Sequence, residues 1–407
     1  MTLEIRSCRP DEFRLFLETA EAAFGAAVSD RDVARFERII TTDRMFAAFE
    51  GDAMVGTGGS FPFTLTIPGG ELAAGGVTLV GVLPTHRRRG ALTRLMQALT
   101  LDARERGEPL AALWASEGSI YGRFGYGLAT KQADMSIERD RARFIDPSPA
   151  AGRCRLLTEE ESLKVLPDVY ERVRKETPGM FARSLDWWRA HTLPDLEEQS
   201  KEGGPLFRAL WEQDGRADAY ALYRIHSEWS EGVPVGHVSV TEALATTPLA
   251  TREIWRFIFG IDLVARVNAM FLPAEHPLLL MVTEPRRLRL TFKDSLWLRI
   301  IDVRAALTAR RYTAEGSFAF ELSDPLCPWN EGRWLLETST HGGELTETSR
   351  EPDLRLTAAD LAACYLGGFS FTELVRAGRT EELTERAALT ATLLFATERS
   401  PCCPEIF

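Results

Sequence analysis

Residues 77–99, VTLVGVLPTHRRRGALTRLMQAL, decide how the N-terminal part of the chain folds. The apolar run 77–83 predicts a strand, which Pro84 ends because proline cannot extend a sheet ladder. Apolar residues then recur at helical spacing and predict a helix over 91–106 that Gly107 stops; its apolar stripe consists of Leu92, Leu95, Met96, Leu99 and Ala103. The loop between strand and helix carries three consecutive arginines, in a chain whose formal net charge is −11.

The start of this helix has the properties of an anion-binding site. Its first backbone N–H groups have no helical partner, and the positive end of the helix dipole lies there. A glycine followed by an alanine lets a ligand approach the backbone closely. We expect a diphosphate to bind at Arg87, Arg88, Arg89, Gly90, Ala91, Leu92 and Thr93. A solvated basic patch is the alternative, and neither a Rossmann nor a Walker glycine pattern occurs here.

The segment VGVLPTHRRRGAL resembles motif A of the GCN5-related N-acetyltransferase (GNAT) superfamily, whose core is Arg/Gln-x-x-Gly-x-Gly/Ala. Arg87, Gly90 and Leu92 occupy these places, although Leu92 is larger than the residue the family has there. The resemblance implies acetyl-coenzyme A as the cosubstrate and no metal ion. It also implies that the pantetheine arm lies along the backbone of Val80, Gly81 and Val82.

The segment WASEGSIYGRFGYG, residues 114–127, resembles a second GNAT motif, Tyr-x-x-x-Gly-Phe. This resemblance aligns Tyr121 with the family's general acid, and Tyr126 is the competing candidate. A phenol with a pKa near ~10 can protonate a departing thiolate whose thiol has a pKa near ~8.5. Ser116 and Glu117 match positions that contact coenzyme A through the loop; helix capping, with Ser116 as the N-cap, is the alternative.

These motifs, a degenerate middle segment, LWLRIIDVRAALTARRY and a terminal Phe together resemble the Eis-type acetyltransferases of mycobacteria and other bacteria. The resemblance implies an α/β (α+β) chain of two tandem GNAT-like domains with mixed central sheets and a C-terminal sterol-carrier-protein-like domain. We place these at 1–148, 149–290 and 291–407. It further implies a homohexamer that acetylates amines of aminoglycosides, often at several positions.

The resemblance also assigns the catalytic base to the chain's terminal carboxylate, which is that of Phe407. The apolar ending PEIF favours a docked tail with Ile406 and Phe407 buried, because frayed tails are usually polar. The pKa of an α-carboxyl group is ~3.5 and that of an ammonium group is ~10, so the carboxylate is a weak base for this proton. It therefore needs a raised pKa, a relay water or a mainly electrostatic role. An inert docked tail is the alternative.

Glu405 is a further candidate for negative charge near a bound amine, and Ala26 occupies the place of a family acidic residue.

The order of predicted elements in the middle segment loosely repeats that of the first, which indicates a second copy of one fold. No Arg-x-x-Gly follows its strand HVSVTEALA, so we expect one coenzyme site per chain. Trp187 and Trp188 are expected to pack in a core rather than line a cleft. His86, in the basic loop, is expected to be a surface residue rather than a base.

The composition limits the class of protein. The chain has 407 residues, 45% of them apolar, which suits two or three packed domains. Net negative charge argues against a nucleic-acid partner and fits a cationic substrate. No membrane span, signal peptide or zinc-spaced cysteine set is apparent, so we expect a cytoplasmic protein with six reduced thiols.

Three functions remain open at this point. The first is acetylation of amino groups on cationic small molecules, which an assay of free thiol release would test. The second is acetylation of protein lysines or polyamines. The third is a non-catalytic carrier of a lipid or coenzyme A, in which the acetyltransferase part is vestigial; an intact motif A together with Tyr121 argues against it.

Overall fold

A computed structural model describes residues 3–195 and 203–407. Numbered along the chain, its strands are β1 (Glu4–Ser7), β2 (Met45–Glu50), β3 (Ala53–Ile67), β4 (Gly70–Val82), β5 (Leu110–Trp114), β6 (Gly127–Leu128), β7 (Lys131–Glu138), β8 (Arg153–Leu156), β9 (Phe207–Gln213), β10 (Arg216–His226), β11 (Trp229–Ser230), β12 (Val233–Pro234), β13 (His237–Ala245), β14 (Arg266–Pro273), β15 (Thr291–Asp294), β16 (Leu296–Ile300), β17 (Gly316–Ser323), β18 (Gly332–Ser339), β19 (Gly342–Glu347), β20 (Leu354–Thr357) and β21 (Glu381–Glu382). The helices are α1 (Phe13–Phe24), α2 (Asp30–Phe36), α3 (Ala91–Glu105), α4 (Gly118–Tyr121), α5 (Glu159–Arg174), α6 (Leu185–Trp187), α7 (Pro248–Phe259), α8 (Leu278–Met281), α9 (Val303–Ala309), α10 (Ala358–Tyr365), α11 (Phe371–Arg376) and α12 (Ala387–Phe395). None of these helices is long and apolar enough to cross a bilayer.

Two compact units make up the described chain. The first unit contains the described residues up to Thr130, together with Ser295–Arg399 and Ile406–Phe407. The second contains the described residues of 131–294 and Ser400–Glu405. Each unit therefore joins segments that lie far apart in sequence.

The central sheet of the first unit has the strand order β1-β2-β3-β4-β5-β16-β6. Only β4 and β5 are parallel neighbours, and the other pairs are antiparallel. Helix α3 connects the two parallel strands, as a parallel step requires a crossover. Strand β16, which comes more than 150 residues after β6, pairs with both β5 and β6.

The sheet of the second unit repeats this layout in the order β8-β9-β10-β13-β14-β7-β15. Four antiparallel strands precede one parallel step, β13 to β14, and two antiparallel strands complete the sheet. The second copy of one fold is thus confirmed. The sixth place in each sheet is filled from a distant part of the chain: β7 follows β6 directly in sequence but lies in the second sheet, and β16 lies in the first.

A five-stranded sheet of order β19-β18-β17-β20-β21 also belongs to the first unit. Beside it, the Phe395 ring at the end of α12 lies 5.0 Å from that of Phe371 and 6.2 Å from that of Phe318, measured between centroids. Helix α12 was not predicted, because its sequence AALTATLLF is apolar nearly all round and shows no 3.6-residue periodicity. The predicted helix α3 is confirmed, and Gly107 follows it at a φ of +70°.

Helices α1 and α3 pack on opposite faces of the first sheet. Glycines in the strands permit both contacts: a Cβ on Gly58 would lie 3.1 Å from Leu99 of α3, and one on Gly81 would lie 2.9 Å from Ala23 near the end of α1. The buried stripe of α3, Leu95, Met96, Leu99 and Ala103, matches the predicted apolar positions. Leu92, the fifth predicted member, is half-buried.

The second unit contains a buried neutral histidine that should make its stability depend on pH. His276 is 7% exposed, its Nδ1 accepts a hydrogen bond from the Leu278 N–H at 3.2 Å, and burial lowers its pKa from 6.5 to about 4. The unfolded chain therefore takes up a proton at a higher pH than the folded chain. Stability that is present above pH 6.5 should be lost as the pH falls toward 4, by on the order of 3 kcal/mol.

Urea unfolding across this pH window tests the expectation. The difference between the wild-type protein and His276→Asn isolates this group from the carboxylates, which titrate in both proteins. The free energy of unfolding of the wild type minus that of His276→Asn should fall as the pH drops from 6.5 toward 4, and should then level off. A difference that stays constant with pH would show that His276 is not held neutral.

Candidate active site

A gap between β4 and β5 lies at the centre of the first sheet. Within the described chain β4 pairs with β5 only at Ala74–Gly76, opposite Leu110–Ala112. Beyond these residues the register of β4 against β3 shifts, and Leu79 adopts a left-handed φ of +52°, as at a β-bulge. The predicted cofactor residues Val80, Gly81 and Val82 follow this bulge. Strand β5 pairs with none of these three residues, which leaves main-chain groups of this segment for a ligand to pair; the Val82 carbonyl already accepts a hydrogen bond from Arg87.

The N-terminus of α3 is open to an anion. Gly90 is its N-cap at φ +85° and ψ 0°, and no side chain caps the helix. The first intrahelical bond of α3 runs from the Arg94 N–H to the Gly90 carbonyl at 3.2 Å. The N–H groups of Ala91, Leu92 and Thr93 therefore have no partner within the helix, and together they fit a diphosphate.

The three arginines of the loop have different surroundings. Arg87 donates from Nε to the Val82 carbonyl at 3.2 Å and from Nη2 to the Ala23 carbonyl at 3.1 Å, so it ties the loop to β4 and α1. Arg88, at φ +63°, is exposed and makes no hydrogen bond or ion pair to the described residues. Its guanidinium is consequently the most available of the three to a phosphate.

Glu50, at the end of β2, holds the other side of this loop. Its Oε2 lies 2.7 Å from Nε2 of His86 and 3.6 Å from Nη1 of Arg89. The Nδ1 atom of His86 is 2.8 Å from the Thr85 hydroxyl. His86 is therefore a partly exposed member of the loop's hydrogen-bond network, held between Glu50 and Thr85.

Tyr121 ends α4 and is 5% exposed. Burial raises its pKa above 10, and the nearby polar side chain of Ser116 acts in the opposite direction. Helix capping by Ser116 is wrong, because Glu117 is the N-cap of α4 and no side chain makes a cap hydrogen bond there. Both Ser116 and Glu117 are exposed beside the end of β5. The chemistry available at Tyr121 is that of a protonated phenol, which can act as an acid.

Tyr126 lies next to Tyr121 but deeper in the fold. Its ring meets that of Tyr121 edge-on at 6.0 Å between centroids, and it is 1% exposed. Its position agrees with a packing aromatic. Arg299 of β16 is fully buried beside this turn and was not predicted as part of the site; the one available signal was a lone charge in the apolar strand LWLRII.

The ring of Phe407 is docked on the first sheet. Its centroid lies 5.0 Å from that of Phe63 and 6.4 Å from that of Phe61, and a Cβ on Gly76 would lie 3.3 Å from its Cε2. Gly75 faces Ala103 of α3, so the adjacent Gly76 faces away from α3. Phe407 therefore lies where β4 and β5 separate, on the face of the sheet opposite α3. Ile406 is 51% exposed, so the burial expected for that residue is wrong.

Glu405 has a structural environment within the second unit. It is 3% exposed, forms an ion pair with Arg183 and accepts a hydrogen bond from Nε1 of Trp187 at 2.7 Å. Because its carboxylate is buried and engaged by Arg183 and Trp187, this environment argues against the suggestion that it adds charge near a bound amine. Trp187 and Trp188 are 4% and 1% exposed, which confirms that they pack in the core.

The equivalent helix of the second unit, α7, has a closed N-terminus. Thr247 is its N-cap and accepts a hydrogen bond from the Ala250 N–H at 3.1 Å, and Pro248 at the first helical position has no N–H to offer. This loop lacks the arginines and the glycine of the first unit. The comparison of α3 with α7 favours one anion site per chain.

Comparisons with known proteins agree with this division. Two stretches, residues 4–129 and 179–300, match models described as acetyltransferase (GNAT) domains. Residues 303–404 match a model described as a sterol carrier protein domain. The chain thus has two GNAT domains followed by a sterol-carrier-protein-like domain, as the sequence analysis predicted. GNAT domains use acetyl-coenzyme A.

Similarity to individual proteins extends over the whole chain. A Streptomyces avermitilis protein described as an uncharacterized N-acetyltransferase is 39% identical, with 100% of both chains covered. The N-acetyltransferase Eis of Mycobacterium tuberculosis is 32% identical over 93% of each chain. The crystal structure of Eis1 from Mycobacterium abscessus superimposes with a TM-score of 0.87 at 32% identity, covering 99% of this chain and 100% of that one. With the open N-terminus of α3 and the gap between β4 and β5, these similarities place the chain among the Eis-type N-acetyltransferases of the GNAT superfamily.

Proposed function

We propose that this enzyme transfers acetyl from acetyl-coenzyme A to amino groups of cationic small molecules of the aminoglycoside kind. The observation that carries the proposal is the position of the Phe407 ring, at the separation of β4 and β5 on the face opposite α3. A thioester bound at α3 and an amine on the side of Phe407 would meet through that gap. The formal charge of −11 favours a cationic acceptor.

The roles of the chain's residues follow from this arrangement. Acetyl-coenzyme A supplies the acetyl group as a thioester. We assign the diphosphate to the loop and first turn of α3 (Arg87 to Thr93), and the pantetheine arm and thioester carbonyl to the main-chain groups of Val80 to Val82. Ser116 and Glu117 are assigned to the coenzyme loop. Tyr121 donates a proton to the sulfur as the C–S bond breaks, and the Phe407 carboxylate assists removal of the amine proton as the C–N bond forms.

A substrate screen that measures free thiol release tests the substrate class. We expect aminoglycosides to be acetylated with a kcat/KM at least about 10-fold above those of polyamines and lysine peptides. The reverse order would assign the enzyme to protein-lysine or polyamine acetylation. Binding of acetyl-coenzyme A by calorimetry without thiol release for any amine, together with lipid binding, would support the carrier instead.

A C-terminal extension tests the terminal carboxylate. Adding a Gly-Ser dipeptide after Phe407 keeps the ring but moves the carboxylate, so kcat should fall about 100-fold while KM for acetyl-coenzyme A stays the same. Ile406→Ala, which retains the free carboxylate, is the matched control and should turn over normally. Full activity of the extended chain would leave the docked tail without a catalytic role.

We further propose that the enzyme is a cytoplasmic homohexamer with no nucleic-acid partner, as the Eis-type resemblance and the acidic composition suggest. Domain limits of 1–148, 149–290 and 291–407 belong to the same proposal. Sedimentation of the purified chain tests the hexamer, and a stable monomer would contradict it.

A further inference from the structure

A buried ion pair from the C-terminal part of the first unit reaches the turn that follows Tyr121. Arg299 of β16 is 0% exposed, and its Nη2 lies 2.5 Å from Oδ1 of Asp324, which is 1% exposed. Asp324 also accepts hydrogen bonds from the Cys327 N–H at 3.1 Å and from Asn330 Nδ2 at 3.0 Å. A loop of the sterol-carrier-protein-like segment therefore holds the guanidinium in place through Asp324.

The same guanidinium also lies directly against Gly125. A Cβ on this glycine would lie 2.7 Å from Cζ and 3.0 Å from Nε of Arg299, so no side chain fits between them. Gly125 has a φ of +79° and turns the chain from α4 back toward β6. The Tyr126 N–H donates to the Tyr121 carbonyl at 3.3 Å, so Gly125 belongs to the turn that fixes Tyr121.

This arrangement is costly for stability. Nε and Nη1 of Arg299 are buried and make no hydrogen bond to the described residues. Each buried donor without a partner costs about 1–3 kcal/mol, and a buried ion pair is often no more stable than apolar residues of similar volume. A site optimised for stability alone would place a leucine or methionine here, and the strand around Arg299 is otherwise apolar.

We infer that Arg299, held by Asp324, is a positioning residue for the general acid: its flat guanidinium fixes the Gly125 turn and with it the direction of the Tyr121 hydroxyl. The inference rests on the proposed role of Tyr121. Arg299 touches neither reactant, so its replacement should lower kcat and leave the coenzyme site at α3 unchanged. A shift of about 1 Å in a reacting group costs up to about 100-fold in rate.

A double-mutant cycle on the full-length enzyme separates this role from a structural one. Arg299→Met with Asp324→Asn removes both charges together and leaves no unpaired ion in the core. Arg299→Lys keeps the positive charge but removes the planar guanidinium group, and it replaces the first variant if that variant is unstable. We expect either change to lower kcat about 10- to 100-fold, with an unaltered KM for acetyl-coenzyme A.

The decisive comparison is made in the Tyr121→Phe background. If Arg299 acts through Tyr121, its replacement there lowers kcat no further. The matched control is Arg6→Met with Glu12→Gln, which removes another ion pair of the first unit, with 30% and 9% side-chain exposure, away from the turn. This control should leave kcat unchanged.

Each contrary outcome has a distinct meaning. If the losses from Tyr121→Phe and from the Arg299 variants multiply, or if the Arg299 variants keep full activity, the positioning role is overturned while the acid assignment stands. An equal loss of kcat in the Arg6 control would overturn it as well, because the effect would then be a general one. If Tyr121→Phe alone has normal kcat, the proposed acid is wrong and the inference falls with it.

Discussion

Tyr121→Phe is expected to lower kcat about 100-fold or more, while the dissociation constant of acetyl-coenzyme A changes little. The phenol is 5% exposed at the end of α4, and burial raises its pKa. Phenylalanine fills the same volume, so the loss is that of the proton donor alone. Single-turnover thiol release and calorimetry measure the two quantities separately.

The pH profile gives a second test of Tyr121. Its pKa is raised above 10 by burial, so the phenol stays protonated throughout the neutral range. An acid loses activity as the pH rises through its pKa, and the alkaline loss assigned to Tyr121 should therefore lie above about pH 10. An alkaline limb near neutrality that vanishes in Tyr121→Phe would contradict this assignment.

Tyr126→Phe is the matched control for this replacement. It removes a hydroxyl from the neighbouring buried ring, 6.0 Å away between centroids, and should change kcat less than about threefold. If Tyr126→Phe is the inactive variant and Tyr121→Phe is active, the two residues exchange roles. Equal activity of all three proteins would remove both tyrosines from proton transfer.

Arg183→Met is expected to destabilise the second unit by about 3–5 kcal/mol. The Arg183 side chain is 3% exposed and lies between the carboxylates of Glu242 and Glu405, which are 6% and 2% exposed. Its guanidinium also packs 3.9 Å from the ring centroid of Tyr170. Removing it leaves two buried negative charges without their counter-ion. Urea unfolding followed by tryptophan fluorescence measures the loss.

Two further variants identify the cause of this loss. Arg189→Met removes a 50% exposed arginine of the neighbouring helical turn and should cost less than about 0.5 kcal/mol. Adding Glu242→Gln and Glu405→Gln to Arg183→Met should restore part of the stability, because the two buried carboxylates without a counter-ion are then removed. If the triple variant is less stable than Arg183→Met alone, buried charge is not the cause.

Local features of the site could be predicted from sequence because they depend on neighbours in the chain. Strand β4, the basic loop and α3 form one continuous segment, so its spacing alone locates the open helix N-terminus at Gly90. The missing glycine and arginines before α7 likewise predict the closed second site. Tyr121 and Phe407 needed the family resemblance, since a lone tyrosine or a terminal carboxylate carries no chemical signal.

Contacts between distant segments could not be predicted in this way. The burial of Glu405 against Arg183 and of Arg299 against Asp324 depends on pairings across roughly 25 to 220 positions.

The apolar stripe of α3 and the presence of one anion-binding loop can be predicted from the sequence alone, since both depend on residue spacing within one segment. That β16 completes the first sheet and β7 the second is visible only in the folded chain. Tertiary structure also decided that the Phe407 ring docks beside Gly76. The physical reason is that strand pairing and side-chain burial depend on which distant segments meet when the chain folds. Local periodicity shows which face of a strand is apolar, but it does not show which strand will lie beside it.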